Sequence, residues 1–152
     1  MAITTNAICN SFKKELLQGS HDFDASTDVY KLALYKDTAT LGKSTTNYSP
    51  NLGATGTEVT SANYTAGGSA LVNQGVKVSD SIAITNFANL SFVNVTLTAR
   101  GALIYNTKTN GGSGTTDAVC VLDFGGNKTA TAGTFTIQFP AFTTSAAILR
   151  LT

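Results

Sequence analysis

The chain has 152 residues, 42% of them hydrophobic, which is enough for one domain with a sizeable core. Only 12% are charged, about half the usual quarter, and the net charge is +1. No long-range field therefore draws the chain to nucleic acid or to an acidic membrane surface.

Met1 to Asn6 contain no basic stretch and no long apolar run, so no signal peptide is expected there. No segment reaches the roughly 18 apolar residues of a membrane span. Ile8, Phe12 and Leu16 recur at i, i+4 and i+8, with Leu17 beside them, and predict a helix over about 8–18. Asn10 or Ser11 is placed to cap its start and Gly19 to follow its end. So short a helix is marginal alone, and its apolar stripe must pack on a sheet or on a neighbouring subunit. Phe12 and Leu16 are for that reason candidate partner contacts.

Residues 20–28 read as a polar loop, and Val29 to Tyr35 as a strand with Tyr30, Leu32 and Leu34 on one face. Residues 38–65 are weakly patterned and rich in Thr, Ser, Asn and Gly. They predict a long surface excursion, with a short edge strand near Glu58 to Thr60. A loop of that length inside one domain is unusual, which makes it a candidate for ordering by a partner. Tyr48, Leu52 and Tyr64 are its candidate contact residues; aromatic side chains there serve either as an interface or as clamps that pin the loop to its own domain.

Tyr64 to Gly68 reads as a turn, Ala70 to Val78 as a strand interrupted at Gly75, and Ser81 to Phe87 as another strand. Val93, Val95, Leu97 and Ala99 alternate with Asn94, Thr96 and Thr98, which describes a strand with one dry and one wet face. After a bulge or bend at Gly101 the run Ala102 to Tyr105 is apolar on both faces. A glycine-rich turn at 110–114 leads to a second buried strand, Val119 to Phe124, and the two form the central hairpin. Gly125-Gly-Asn127 reads as a turn and 128–132 as a polar rim. Thr134 to Phe139 is an alternating strand stopped by Pro140, and Ala146 to Leu151 is the last. About eight strands at spacings of roughly ten residues predict a mainly β fold, an antiparallel, jelly-roll-like β-sandwich with one short N-terminal helix, forming a single domain over 1–152.

Catalytic chemistry finds little to stand on. His21 is the only histidine and lies among aspartates with no nucleophile elbow, so it reads as a solvated loop residue. Asp22-x-Asp24-x-Ser26-x-Asp28 begins like a calcium loop, then has Thr27 at the sixth position instead of Gly and Ala33 at the twelfth instead of Glu. Gly125-Gly-Asn-Lys128 lacks the spacing of a phosphate loop. Cys9 and Cys120 are far apart and read as two buried, reduced thiols, with no framework spacing behind a disulfide. No catalytic residue, metal site or cofactor is expected, and the chain is expected not to be an enzyme.

Five segments carry a family resemblance: Cys9 to Gly19, Tyr30 to Tyr35, Tyr64 to Gly68, Thr98 to Asn106 and Val121 to Lys128. In their order and spacing they resemble small virion structural proteins of tailed bacteriophages, including cyanophages. The resemblance spans nearly the whole chain. It implies a β-sandwich that decorates or cements the outside of the capsid. Its partners would be the major capsid protein and other copies of itself, as a trimer or dimer, without nucleic acid or membrane. It implies synthesis in the host cytoplasm and residence on the virion. The other reading is a tail or fibre component that contacts the host surface, for which a Thr- and Asn-rich surface with exposed tyrosines would suit carbohydrate.

Overall fold

A computed structural model describes residues 3–24, 28–107 and 116–152. The glycine-rich turn expected at 110–114 lies outside the described residues, as do Ser26 and Thr27 of the acidic loop. The elements run β1 (Ala7–Ile8), α1 (Asn10–Leu17), β2 (Tyr30–Tyr35), β3 (Ser69–Ala70), β4 (Asn73–Ser79), β5 (Ile82–Phe87), β6 (Leu90–Asn106), β7 (Asp117–Ile137) and β8 (Leu149–Leu151). They form two antiparallel sheets, one of order β1-β7-β6-β2-β3 and one of order β4-β5-β8. This is the mainly β, sandwich-like architecture with one short helix that the strand pattern predicts.

The apolar middle of the chain makes the core. β2 and the second half of β6 lie in register from Tyr30↔Asn106 to Tyr35↔Gly101, and β7 covers the other side of β6. Leu32, Leu34, Leu103, Ile104, Val119 and Val121 are buried between their neighbours. This is why the run Ala102 to Tyr105 has no polar face: both of its sides meet protein. Phe87 of the second sheet joins the same cluster through Tyr30, Phe23 and Phe139, at ring separations of 5.7, 6.4 and 5.7 Å.

The expected turn at Gly125 to Asn127 is a bulge within one long strand. Ala99 faces Lys128 and Gly101 faces Asp123, so two steps along β6 answer five along β7, and residues 124–127 loop out without reversing the chain. The polar rim at 128–132 is therefore part of β7, which runs on to Ile137. A second bulge upsets the alternation read for β6. Between Phe92↔Phe135 and Val95↔Gly133, three steps answer two, and Asn94 takes a φ of 53°. Phe92 and Val95 both face inward as a result, while Val93 is turned out and 57% exposed. The interruption foreseen at Gly75 is real: the β4–β5 register shifts between Asn73 and Val76.

The helix begins at Asn10 with Cys9 as its N-cap, and neither Asn10 nor Ser11 caps it by a side-chain bond. The first helical N–H, from Asn10, instead donates to the Lys43 carbonyl at 2.8 Å. Its other end closes as expected. Gly19 sits at φ 73°, its N–H donates to the Leu16 carbonyl and the Ser20 N–H to the Glu15 carbonyl. Gly68 is required by close approach: a Cβ there would lie 1.7 Å from the Leu32 carbonyl oxygen.

Candidate partner-binding surface

α1 packs on the main sheet through Phe12, which is 3% exposed, while Leu17 beside it is 92% exposed. The stripe is wider than the surface it covers. Across from it stand β4, β5 and β8, and between them runs an apolar groove of about 1090 Å³. Its apolar lining includes Phe12, Leu16, Leu17, Val76, Ile84 and Leu151. Val76 and Leu151 are 48% and 59% exposed, so three of the chain's exposed large hydrophobic side chains border this one depression. Lys13, Asp22, Asp24 and Arg150 also line it, both signs together, which leaves no charge bias toward an ionic ligand. A concentrated apolar patch with a mixed polar rim has the form of a protein-docking surface.

The wall of the groove is stiffened by a buried polar chain. His21, expected to be solvated, is buried against Phe12 at a ring separation of 4.9 Å. Its Nε2 lies 2.8 Å from Glu15 Oε2, and its Nδ1 lies 3.1 Å from Asn106 Nδ2. Asn106 Nδ2 also donates to Asp28 Oδ2 at 2.9 Å, which accepts from the Asp22 N–H at 2.7 Å. An imidazole with its proton on Nε2 fits this pattern: it donates to Glu15 and accepts from Asn106. The histidine ties helix to loop to sheet, and among the described residues no nucleophile bonds it. Sequence reading missed this because Glu15 and Asn106 come from two other elements. Among the described residues, no group of three or more His, Cys, Asp or Glu is placed to hold a metal ion.

Tyr48, Leu52 and Tyr64 do not reach the groove; they belong to a second buried knot. Glu58 is 3% exposed and accepts Tyr48 Oη at 2.7 Å, Tyr64 Oη at 2.8 Å and the Gly67 N–H at 2.7 Å. Tyr64 Oη in turn accepts the Leu34 N–H, and Tyr105 Oη donates to the Gly67 carbonyl. Tyr48 stacks on Tyr105 at 4.5 Å, and Leu52 packs against the core. Of the two readings of these tyrosines, clamp and interface, the geometry is that of a clamp. The excursion is accordingly ordered by its own domain rather than awaiting a partner. Val59 N–H bonds the Leu34 carbonyl, Tyr48 N–H the Thr116 carbonyl, and Ala118 N–H the Thr46 carbonyl. The edge strand expected at Glu58 to Thr60 is reduced to a single bridge, Tyr35↔Glu58. Burial pushes the phenols of Tyr35, Tyr48 and Tyr64 well up from their usual range, with the Glu58 carboxylate adding to it. The same two causes move Tyr105 up to about 12.

Cys9 and Cys120 are free and buried, as read from the sequence. Burial, then the Glu15 charge, pushes the Cys9 thiol up to about 12, and burial raises Cys120 as well. Neither is a ready nucleophile.

Of the five residues singled out from sequence, Phe12 and Leu16 come together at the groove, and Tyr48 and Tyr64 come together at Glu58, with Leu52 in the same excursion. The groove residues missed were Val76, Ile84 and Leu151, which belong to the second sheet. Val76 alternates with Val78 and Leu151 with Leu149, so a period of two gives each strand one apolar face and no sign of which side chains stay exposed. Compared with known proteins, the chain matches no family model, no curated protein and no solved structure.

Proposed function

We propose that the chain is a non-enzymatic structural protein of a phage particle, a decoration or cement protein that sits on the outside of the capsid shell and stabilises it. The observation that carries the docking half of this reading is the apolar groove between α1 and the β4-β5-β8 sheet, with Leu17, Val76 and Leu151 exposed around it. Its mixed, nearly neutral rim suits an apolar ridge of a capsid subunit better than a charged ligand. The choice of a capsid as partner rests on the resemblance of the five segments named above. A cement protein gains its hold from many copies on a repetitive lattice, so a modest groove suffices for each copy.

The test is to add purified protein to shells that lack it and to follow their resistance to heat and to salt dilution. Binding in simple ratio to the capsid subunit, with protection, is the expected result, and Leu17→Asp should weaken it at least tenfold. Shells that neither bind nor gain resistance would overturn the reading. The tail or fibre alternative called for exposed tyrosines to meet carbohydrate. Tyr30, Tyr35, Tyr64 and Tyr105 are buried, and the half-buried Tyr48 is held by Tyr105 and Glu58. A copy number of only a few to a few tens per virion would nevertheless favour that alternative.

A further inference from the structure

The outer edge of β7 is covered for its first part and then left bare. Tyr48 N–H and the Thr46 carbonyl bond the backbone of Thr116 and Ala118; the Cys9 N–H bonds Val119; β1 pairs with Cys120 and Val121; and the Asn6 side chain accepts the Asp123 N–H. From Lys128 to Ile137 β7 pairs with β6 alone, and no described residue pairs with its other edge. The partner strand is treated differently. The outer edge of β6 along the same stretch is capped by Ser61, whose Oγ accepts the Thr96 N–H, and by Asn63, whose Nδ2 donates to the Asn94 carbonyl. One edge of the ribbon is closed by side chains and the other is open.

Alternation shows which groups are bare. The Phe139 N–H turns toward β6 to reach Asn89 Oδ1, so the backbone groups of Thr134, Thr136 and Gln138 face away from β6. Exposed edges are normally blunted by charge, proline or bulges. Here the only charge from Thr129 to Ile137 and its flank is Lys128, at one end, and no proline occurs before Pro140. A bulge in β7, with Ala132 at φ 44°, divides the edge; a second register shift, from the extra residue of β6 between Phe92 and Val95, lies opposite Thr134, while β7 itself continues as strand from Gly133 to Ile137. A groove of about 900 Å³ runs beside this stretch, lined by Phe124, Phe135, Ile137, Phe139, Ile8 and Ile148 among others, and offers an added strand an apolar floor.

We propose that two copies of this chain join through this edge, with residues 133–137 of each β7 running antiparallel across a two-fold axis, so that the two ribbons form one continuous sheet. The edge is its own complement: neutral, rich in Thr on the wet face and carrying Phe135 and Ile137 on the dry one. Antiparallel pairing places the two Lys128 side chains at opposite ends of the joint, so no like charges meet. The contact is isologous and closes after two copies. It uses a different surface from the α1 groove and stands whether or not the partner there is a capsid.

Sedimentation equilibrium over a broad concentration range tests it, with circular dichroism and thermal melting as fold controls. Wild type is expected to pass from monomer to dimer. Thr134→Lys, at an exposed position, and Thr136→Pro, which removes an N–H facing away from β6, should each weaken dimerisation at least tenfold while Thr134→Lys melts as wild type does. Pairing centred on Phe135 sets Thr134 of one copy opposite Thr136 of the other, so an equimolar mixture of Thr134→Cys and Thr136→Cys chains should be joined rapidly by mild oxidation into a covalent dimer, the native thiols being buried. A wild type that stays monomeric at every concentration would overturn the proposal. So would a dimer or trimer that folded Thr134→Lys forms undiminished, or a Thr134→Cys and Thr136→Cys mixture that oxidises no faster than a Thr60→Cys variant.

Discussion

Glu58 shows how one residue can organise a segment of the chain. It is a buried carboxylate with three donors on it, so its removal leaves two hydroxyls and an N–H without their acceptor. Each orphaned group costs about 1–3 kcal/mol. Glu58→Ala is thus expected to lower stability by roughly 3 kcal/mol or more, and Glu58→Gln by less, since the amide oxygen keeps one acceptor in place. Urea unfolding with both variants decides it; a Glu58→Ala variant within 0.5 kcal/mol (about the scatter of a neutral surface change) would refute the clamp. Asp123 plays a smaller part. Burial works against its charge, but the Gly125 N–H and the Arg100 guanidinium hold its carboxyl below the usual 3.8. A lowered value means that its stabilisation is present above that pH and is lost as the pH falls through it. Asp123 and Arg100 are partly exposed, so Asp123→Asn should cost no more than about 1 kcal/mol at neutral pH.

The elements carry the sharper functional contrast. Phe12 and Leu17 belong to one helix and one apolar stripe, yet the first is in the core and the second in solvent. Phe12→Asp should unfold the chain or cost about 3–5 kcal/mol, whereas Leu17→Asp should leave the melting temperature within about 1–2 degrees of wild type. A Leu17→Asp variant that melts far lower would mean that the residue is structural. Deleting 45–57 is expected to destabilise the fold as a whole, because the stretch holds Tyr48 and supplies backbone bonds to Thr116 and Ala118. At this scale the sequence is legible where a helical period or an apolar run bounded by polar residues marks the element. β2, β5, the buried half of β6 and α1 all fall within a few residues of their expected bounds. It misleads where glycine is ambiguous: Gly125 reads equally as turn or bulge, and only the pairing of Lys128 with Ala99 decides. It is silent where order comes from distant polar partners, as with His21 and Asn106, or Glu58 and its tyrosines, which no local period records.

For the whole molecule, the tyrosines predict a distinctive response to alkali. All five are raised above their usual 10, Tyr30 by burial and then by Asp28 and Asp22, the others by burial first and the Glu58 charge with it. A phenol raised in the folded state keeps its full contribution to stability below the unfolded value of about 10. That contribution is lost as the pH rises beyond it. The protein should therefore show no phenolate absorbance at pH 10 to 11, then ionise its tyrosines in one step as the sheet signal collapses. Tyrosines that titrate singly near 10 with the fold intact would contradict the burial described here.

β1 and the residue that leads into it have partners far along the chain. Ile3 packs beside Gly101, and Ala7 and Ile8 wait for Val121 and Cys120. On a ribosome, β1 thus emerges long before the strand it pairs with, and nothing before Leu90 can complete the main sheet. Until β6 and β7 follow, only β2–β3 and β4–β5 can pair, and β1 and α1 lack the sheet they pack on, a state that invites misassociation. A ribosome-stalled fragment ending before residue 90 should be open to protease throughout, and the full-length chain should become resistant only once β7 has been released.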